Sequence, residues 1–242
     1  MSPPSFIDIH SHILPSVDDG SKNLEQSLTM ARDFVAGGVN HVFATPHHIA
    51  GTAWTLTPEI IRQQVAGLQA VLQQYDIPLI LHPGMEIALH SHLGKELERN
   101  LLLPLGRSNC YLLEPPFQSF RDDLLDTVLS FKNAGKDVIL AHPERAPFFQ
   151  QKISSLTKLV EQGVMIQVNI GSLLGTFGKK AETAALYLAD NDSIHFVASD
   201  SHGPDARRPP SRKEWLQLEQ ILGANLARSA CIDNPARLLG GL

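Results

Sequence analysis

The sequence has few cysteines, no long hydrophobic run and no excess of positive charge. Only Cys110 and Cys231 occur among its 242 residues, which argues against a disulfide scaffold and suits the reducing cytoplasm, where we expect this chain. No stretch approaches the roughly 18 consecutive apolar residues of a membrane-spanning helix, so we expect no membrane span. The formal net charge is -5, whereas a general nucleic-acid binder needs a basic face, so we expect no nucleic-acid partner.

No internal repeat, low-complexity tract or linker divides the chain, so we predict one domain over residues 1–242. Short apolar segments alternate with segments of helical periodicity, which is typical of parallel α/β proteins. A closed α/β barrel routinely has this length. The predicted strands are Phe6–Ile9, Val39–Ala44, Pro78–His82, Cys110–Leu113, Asp137–Ala141, Val164–Val168 and Ile194–Ser199. The predicted helices are Leu24–Val35, Thr57–Tyr75, His92–Glu98, Asp122–Ala134, Ile153–Gln162, Lys179–Ala189, Arg212–Leu222 and one that begins at Asn234.

The first strand ends in the polar run Asp8-x-His10-x-His12. Side chains two residues apart on an extended segment point the same way, so His10 and His12 offer two imidazoles to one point. Imidazole is a ligand for zinc, manganese, iron and related metals. Taken alone, the pair is equally consistent with two surface histidines at a strand end.

A polar side chain lies just beyond the end of every predicted strand. In parallel α/β barrels, functional residues gather at the carboxyl ends of the strands, where the loops converge. Imidazole and carboxylate groups without thiolates suit a catalytic ion such as Mn, Fe, Co or Zn. The sequence therefore predicts a metal site formed by the strand-end residues His10, His12, His47, Glu86, Glu114, His142, Asp200 and His202.

These residues belong to motifs that resemble the polymerase and histidinol phosphatase (PHP) family. The similarity is greatest to the bacterial manganese-dependent protein tyrosine phosphatases encoded with capsule and exopolysaccharide genes, and it spans nearly the whole chain in the family's order. The motifs are Asp8-x-His10-x-His12, Asp18-Asp19-Gly20, Thr45-Pro46-His47, Gly84-x-Glu86, Glu114, His142-Pro143-Glu144-Arg145 and Ser199-Asp200-x-His202.

The resemblance implies a distorted (β/α)7 barrel with three divalent ions, Mn²⁺ by this resemblance, at the carboxyl ends of its strands. The first ion would be held by His10, His12, Glu86 and Asp200, the second by Glu86, Glu114 and His142, and the third by Asp19, His47 and His202. Arg145 and Arg207 match the family's phosphate-binding arginines, although the neighbouring Arg208 is an alternative to Arg207. His47 or a metal-bound water is the candidate general acid.

The function implied by the resemblance is hydrolysis of phosphotyrosine in a protein, with the tail of an autophosphorylating tyrosine kinase as the expected partner. Histidinol-phosphate phosphatase is the main alternative, because it shares the scaffold and the metals. A nucleic-acid phosphoesterase and a metal-binding protein without turnover are further alternatives. The sequence has no Cys-x5-Arg motif, which argues against a cysteine-based phosphatase. A homo-oligomer through the helix near Glu25 is as consistent with the sequence as core packing of that helix.

Several other polar residues are expected near the site without binding metal. Asp8 is expected to support the histidines, Asp18 to form a turn, His48 to lie at the rim, and Glu144 to brace Arg145. The remaining histidines have no partner motif and are expected to be structural: His41, His82, His90, His92 and His195.

Overall fold

The structure is a computed structural model that describes residues 5–117 and 123–240. Over these residues the chain forms nine strands, and every pair of neighbours is parallel. One sheet has the order β1-β2-β4, with β1 at Phe6–Ser11, β2 at Val39–Ala44 and β4 at Ile80–Pro83. The other has the order β3-β5-β6-β7-β8-β9, with strands His47–His48, Glu86–Ala88, Cys110–Glu114, Asp137–Ala141, Met165–Asn169 and Phe196–Ala198. The predicted parallel α/β architecture is confirmed.

The two strands beyond the seven expected are short continuations of β2 and β4. Proline has no N–H to donate to a sheet, so Pro46 interrupts the first of these paths. Glu86 N donates to Pro46 O at 3.1 Å, and Gly84 N donates to Ala44 O at 3.0 Å. At the opposite edges, Asp200 N donates to His10 O at 2.9 Å. Backbone hydrogen bonds therefore connect the two sheets on both sides.

The ends of the expected strands differ from the observed ones by at most two residues, and Val39–Ala44 and Asp137–Ala141 agree at both ends. Pro78 cannot donate to a ladder and Leu79 N bonds to Ile77 O at 2.9 Å, so β4 begins only at Ile80. Val164 N bonds to Leu159 O at 3.0 Å, which leaves Met165 as the first residue of β8. In both places a turn uses the backbone groups that an earlier strand start would need.

Helices follow most strands. They are α1 Leu24–Gly37, α2 Pro58–Gln74, α3 Leu93–Glu98, α4 Asp123–Asn133, α5 Pro147–Gln151, α6 Ser154–Glu161, α7 Ile170–Leu173, α8 Lys179–Asp190, α9 Arg212–Leu222, α10 Ala224–Arg228 and α11 Asn234–Arg237. A 3₁₀ turn lies at Pro143–Arg145 and a π-helical turn at Ser229–Asp233. The expected helix start at Asp122 lies outside the described residues. No helix in the described ranges is both long and apolar enough to cross a membrane.

Local sequence sets where the longer helices begin and end. The side chains of Asn23 and Thr57 accept from the backbone N–H of the third residue that follows, which caps α1 and α2. Ser211 and Glu214 form a capping box at the start of α9. Gly38 ends α1 in the left-handed conformation, at a φ of 88°, where a side chain would be strained.

The strands are buried on both faces, as expected of parallel sheets. One apolar cluster, which includes Ile9, Phe43, Leu112, Ile139 and Phe196, joins residues from strands of both sheets. A larger cluster packs the remaining apolar strand residues against the helices and contains the buried Phe34, Leu72, Phe131, Phe149 and Trp215. The ends of the strands therefore rest on a packed apolar base.

A pair of histidines links β2 to β4 away from the strand ends. His41 Nδ1 lies 2.8 Å from His82 Nε2, and the His82 ring packs 5.0 Å from the ring of Phe43. Burial lowers the pKa of His41, and burial together with the charges of His41 and Arg107 lowers the pKa of His82 to about 4. In the unfolded chain a histidine titrates near pH 6.5. The fold therefore favours the neutral pair.

This pair predicts a loss of stability in mild acid. Between pH 6.5 and pH 4 the unfolded chain binds a proton at His82 that the folded chain does not, so stability decreases as the pH falls. After allowance for solvent screening, we expect the wild type to lose about 1 kcal/mol more than His82→Gln between about pH 7.5 and about pH 5. Urea unfolding of both proteins in EDTA measures the difference. An equal pH dependence in the two proteins would contradict the assignment.

Candidate metal centre

All nine residues that the sequence analysis assigned to metal ions lie together at the carboxyl ends of the strands. Five are imidazoles and four are carboxylates. Asp19 comes from the loop after β1, and the other eight come from strand ends or from the few residues that follow them. The nine are His10, His12, Asp19, His47, Glu86, Glu114, His142, Asp200 and His202.

Four donor atoms converge between β1, β5 and β9. The Nε2 atoms of His10 and His12 are 3.3 Å apart, and they lie 3.2 Å and 3.1 Å from Glu86 Oε2. Each of them also lies 3.5 Å from Asp200 Oδ1. Two ligands about 2.1 Å from one ion are about 3.0 Å apart at a right angle and about 3.4 Å apart at a tetrahedral angle. The observed spacings are therefore those of ligands around a shared ion.

Two further groups of donors continue this cluster. His142 Nε2 lies 2.8 Å from Glu86 Oε1 and 3.8 Å from Glu114 Oε1. Asp19 Oδ1 lies 3.4 Å from the Nε2 atoms of both His47 and His202. The second nitrogen of His47, Nδ1, lies 3.1 Å from Glu86 Oε2, so its ring connects the two groups. The donors form one continuous cluster in which several residues could serve two ions.

Two buried carboxylate oxygens in this cluster have no hydrogen-bond donor among the described residues. They are Glu86 Oε2 and Asp200 Oδ1, which face the Nε2 atoms of His10 and His12. The other oxygen of Asp200 accepts from Asn169 Nδ2 at 2.8 Å and Arg145 Nη1 at 2.7 Å. An unpaired buried anionic oxygen costs free energy unless a cation compensates it. The donor set therefore fits divalent cations.

Hydrogen bonds outside the cluster orient three of the imidazoles. The Nδ1 atoms contact an acceptor in each case: Gln167 Oε1 at 3.0 Å for His10, Asp18 Oδ2 at 2.7 Å for His12, and the backbone oxygen of Asp200 at 3.0 Å for His202. A proton held on Nδ1 leaves the Nε2 lone pair free for a metal. Asp18 also accepts from the backbone N–H of Gly20, so it both forms the expected turn and orients a histidine.

Two site residues have a left-handed backbone. The φ angles of His142 and Asp200 are 31° and 55°. Non-glycine residues rarely adopt this conformation, and at functional sites it turns a side chain away from the path of its strand. Here it occurs at the first residue after β7 and the second residue after β9, where the side chains must reach the cluster.

Without cations, the carboxylates and imidazoles strongly perturb one another. Burial alone would raise the pKa values of Glu86 and Asp200, but nearby imidazoles hold both well below their usual values. Burial and the charge of Glu86 raise the pKa of Glu114 to about 8. Burial alone would lower the pKa of His10, yet the charges of Glu86 and Asp200 raise it. Protons partly balance the clustered negative charge, so cations must displace protons in order to bind.

Arginine side chains border the cluster at Asp200. Arg145 Nη1 and Arg207 Nη2 both contact Asp200 Oδ2, and Arg207 Nη1 lies 3.0 Å from His202 Nε2. Arg208 instead donates to Glu214 Oε2 at 3.0 Å and to Pro209 O at 2.9 Å, near the start of α9. Of the two adjacent arginines, Arg207 lies at the site.

Comparison with known proteins assigns this chain to a family. Residues 6–240 match the family described as capsular polysaccharide synthesis, CpsB/CapC. The chain belongs to this family. The tyrosine-protein phosphatase YwqE of Bacillus subtilis is 36% identical over 221 residues, which cover 91% of this chain and 87% of the relative. The tyrosine-protein phosphatase CpsB of Streptococcus pneumoniae is 26% identical over 239 residues, which cover 97% and 98% of the two chains.

Solved structures agree with membership of the CpsB/CapC family. A crystal structure from work on B. subtilis YwqE and S. pneumoniae CpsB, described as metal-dependent tyrosine phosphatases, has a TM-score of 0.90 and 35% identity. It covers 96% of this chain and 94% of that chain. A lactonase from Listeria monocytogenes, at 13% identity and a TM-score of 0.59, shares the fold alone. The resemblance inferred from the motifs is confirmed.

Three aromatic rings of this CpsB/CapC chain border the cluster. The sequence analysis did not predict that they lie at the site. The Arg145 guanidinium lies between Phe117 and Phe177, at 5.3 Å and 4.4 Å from the ring centroids. Phe117 also stacks on His142 at 5.9 Å, and Trp54 stacks on His47 at 5.4 Å with 14° between the planes. These residues lie outside the regular strands, where neither periodicity nor spacing could assign them to the site.

Buried polar residues of β8 were also missed. Gln167 and Asn169 alternate with apolar residues in this strand, and both side chains are fully buried beside His10 and Asp200. This alternation of polar and apolar residues in a buried strand could have predicted that both side chains lie near the site. Glu144 accepts from Asn169 N and Ser172 Oγ, rather than from the side chain of the arginine that it was expected to brace.

The expected rim residue His48 is buried. Its Nε2 lies 2.8 Å from Glu96 Oε2, which ties β3 to α3. Asp8 has the supporting position expected of it, because it accepts from the backbone N–H of His10 at 3.1 Å and of Ser199 at 3.2 Å.

Proposed function

We propose that this chain is a metal-dependent phosphatase that hydrolyses phosphotyrosine in a protein substrate. The observation that carries the proposal is the buried cluster of five imidazoles and four carboxylates with two arginines at its border. Relatives of the chain are named tyrosine-protein phosphatases, and the family is that of capsular polysaccharide synthesis. Phosphate hydrolysis needs cations that polarise the phosphate, and it is helped by guanidinium groups that bind the phosphate oxygens.

Three divalent ions are proposed for the cluster, with Mn²⁺ as the ion and Fe, Co or Zn as possible substitutes. His10, His12, Glu86 and Asp200 would hold the first, Glu86, Glu114 and His142 the second, and Asp19, His47 and His202 the third. The spacings within each set support this division, and by distance His12 could also join the third set and His142 the first. Four carboxylates and three divalent ions leave a charge of about +2, which attracts a phosphate dianion.

The residues of the chain then have separate roles. Divalent ions bound there supply Lewis-acid charge and an activated water for attack on phosphorus. Arg145 and Arg207 bind the oxygens of the phosphoryl group, since guanidinium donates two parallel hydrogen bonds to phosphate. Contacts with the rings of Phe117 and Phe177 restrict the Arg145 guanidinium.

The leaving group needs little help from an acid. The phenol of tyrosine has a pKa of about 10, so its oxygen leaves more easily than the oxygen of an alkyl phosphate. His47 and a metal-bound water are the two candidate acids. As a ligand of the third ion through Nε2, His47 could donate only from Nδ1, which lies 3.1 Å from Glu86 Oε2.

An exposed aromatic ring supports an aryl phosphate as the substrate. Phe117 is 40% exposed, and it lies over the imidazole of His142 and beside the guanidinium of Arg145. A phosphate bound at Arg145 brings the ring of its tyrosine close to this surface, where aromatic pairs contribute about 0.5–1.5 kcal/mol. Histidinol phosphate, the small-molecule alternative, has an alkyl phosphate that makes no such contact next to phosphorus.

We also propose that the two sheets form one distorted (β/α)7 barrel within a single domain over residues 1–242. The support is the set of backbone hydrogen bonds at both junctions, between β2–β3 and β4–β5 and between β1 and the end of β9. In this arrangement the short strands β3 and β5 complete the strand positions begun by β2 and β4. The metal cluster would then occupy the mouth of the barrel.

We propose a protein partner, a cellular location and an oligomeric state from the relatives, the cysteines and helix α1. A tyrosine kinase tail is the proposed protein partner, because the named relatives act as tyrosine-protein phosphatases in a capsule synthesis family. The proposed cytoplasmic location rests on Cys110 and Cys231, which are buried free thiols. A homo-oligomer through α1 remains a proposal, with Leu24 exposed at its start.

A comparison of two substrates tests the function. The Mn²⁺-loaded protein is assayed on a phosphotyrosine peptide and on histidinol phosphate at matched concentrations. We expect kcat/KM to be at least about tenfold higher for the peptide, because the aromatic surface and the better leaving group both favour it. A higher kcat/KM on histidinol phosphate would overturn the substrate proposal. Failure to hydrolyse either compound would overturn the phosphatase itself.

Adjacent arginines provide a matched pair of variants. Arg207→Ala removes a guanidinium at the cluster and is expected to lower kcat/KM by on the order of 100-fold. Arg208→Ala, which removes contacts with Glu214 and Pro209 O outside the cluster, is expected to stay within about twofold of the wild type. Steady-state kinetics on the phosphotyrosine peptide measures both. Equal losses in the two variants would contradict the assignment of Arg207.

A further inference from the structure

A row of hydrogen bonds connects two of the proposed ligands of one ion through the side chains of β8. His10 Nδ1 lies 3.0 Å from Gln167 Oε1, Gln167 Nε2 lies 2.7 Å from Asn169 Oδ1, and Asn169 Nδ2 lies 2.8 Å from Asp200 Oδ2. All four residues are at most 1% exposed. Their mutual hydrogen bonds therefore replace solvent for these groups.

The chemistry of Asp200 sets the direction of this row. An ionised carboxylate only accepts, so Asn169 must present its NH₂ group to Asp200 and its oxygen to Gln167. Gln167 must then present its NH₂ group to Asn169 and its oxygen to His10. That oxygen accepts, so His10 must donate from Nδ1. Reversal of both amides would place Asn169 Oδ1 against the carboxylate of Asp200 and leave two acceptors in contact.

The consequence falls on the other nitrogen of His10. A neutral imidazole with its proton on Nδ1 has its lone pair on Nε2, and only a lone pair can bind a metal. His10 Nε2 is the atom that faces Glu86 Oε2 at 3.2 Å and Asp200 Oδ1 at 3.5 Å. Through the two amides, the ionised carboxylate of Asp200 thus determines which nitrogen of His10 carries the proton.

We propose that Gln167 and Asn169 are positioning residues that hold His10 in its Nδ1–H tautomer, with the Nε2 lone pair presented to a divalent cation. This inference rests on the metal site of the proposed function but not on the substrate. A structural role for the two amides, in which they only fill buried space, predicts no effect of Asn169 on the tautomer of His10, because the two side chains do not contact each other directly.

The test uses the metal-free full-length protein with ¹⁵N-labelled histidine. The charges of Glu86 and Asp200 raise the pKa of His10, so the nitrogen chemical shifts are followed to a pH at which they show His10 to be neutral, where they report which ring nitrogen carries the remaining proton. We expect Nδ1–H in the wild type. In Gln167→Met, which removes the acceptor, and in Asn169→Leu, which removes the group that orients the acceptor, we expect a mixture of tautomers. An unchanged Nδ1–H tautomer in both variants would overturn the proposal.

Affinity for Mn²⁺, measured by calorimetry, is the second readout. We expect Gln167→Met to weaken binding by on the order of 10- to 100-fold, as is typical for the loss of a residue that orients a metal ligand. Gln69→Met is the matched control, because Gln69 is part-buried and bonds to the backbone of Leu79 and Leu81 at 3.0 Å and 2.7 Å, far from His10 in the fold. Equal affinities of the Gln167→Met and Gln69→Met variants would overturn the positioning role.

A double variant tests whether the effects of Gln167 and Asn169 on Mn²⁺ affinity depend on each other. If the two amides act in one row, Gln167→Met with Asn169→Leu should bind Mn²⁺ about as weakly as the weaker single variant. Fully multiplicative losses would contradict a shared row. The tautomer measurement needs neither metal nor substrate. A chain that binds Mn²⁺ as described yet does not hydrolyse phosphotyrosine would therefore reject the proposed function and leave this inference standing.

Discussion

Clustered negative charge is the constraint on which this structure depends. Four carboxylates meet at the ends of the strands, and two of them, Glu86 and Asp200, are about 1% exposed. Two carboxylates about 4 Å apart repel by about 4 kcal/mol at an effective dielectric constant of about 20. Imidazoles and two arginines offset part of this repulsion, yet an oxygen of each buried carboxylate still lacks a donor among the described residues. Divalent cations bound there would remove the imbalance and would supply Lewis-acid charge for the proposed reaction.

Apolar burial in the parallel sheets offsets the free-energy cost of bringing these carboxylates together. The strands β1, β2, β6, β7, β8 and β9 contribute apolar residues to both apolar clusters, and the proposed ligands lie at or near the carboxyl ends of strands. The interrupted strands add a second feature, because β3 and β5 pair with His47 directly opposite Glu86. The bulk of the folding free energy therefore comes from apolar burial below the site, and the site itself is held in place by that base.

Much of the site could be predicted from the sequence, because the side chains that bind metals are few and their positions at strand ends are fixed by the period of the strands. His10 and His12 are the plainest case. The interruption of the strands at Pro46 and Gly84 was not predicted, since only the pairing with neighbours shows that His47 and Glu86 extend the sheet.

Other contacts could not be assigned from the sequence, for physical reasons. Arg207 and Arg208 have the same chemistry, and only the left-handed backbone at Arg207, at a φ of 54°, distinguishes where each side chain lies. Phe117, Phe177 and Trp54 come from irregular segments, whose paths depend on tertiary packing. Gln167 and Asn169 stood out as polar residues in a buried strand, but their partners are far away in the sequence.

The most direct test of this account is the number of divalent ions bound per chain. The wild-type protein is incubated with Mn²⁺, freed of unbound metal, and analysed for metal and protein content by mass spectrometry. The account predicts three ions per chain, and two in Asp19→Ala, which removes one carboxylate from the proposed third site. A wild-type protein that binds no ion, or only one, would contradict the central claim that the buried carboxylates and imidazoles form a three-metal site.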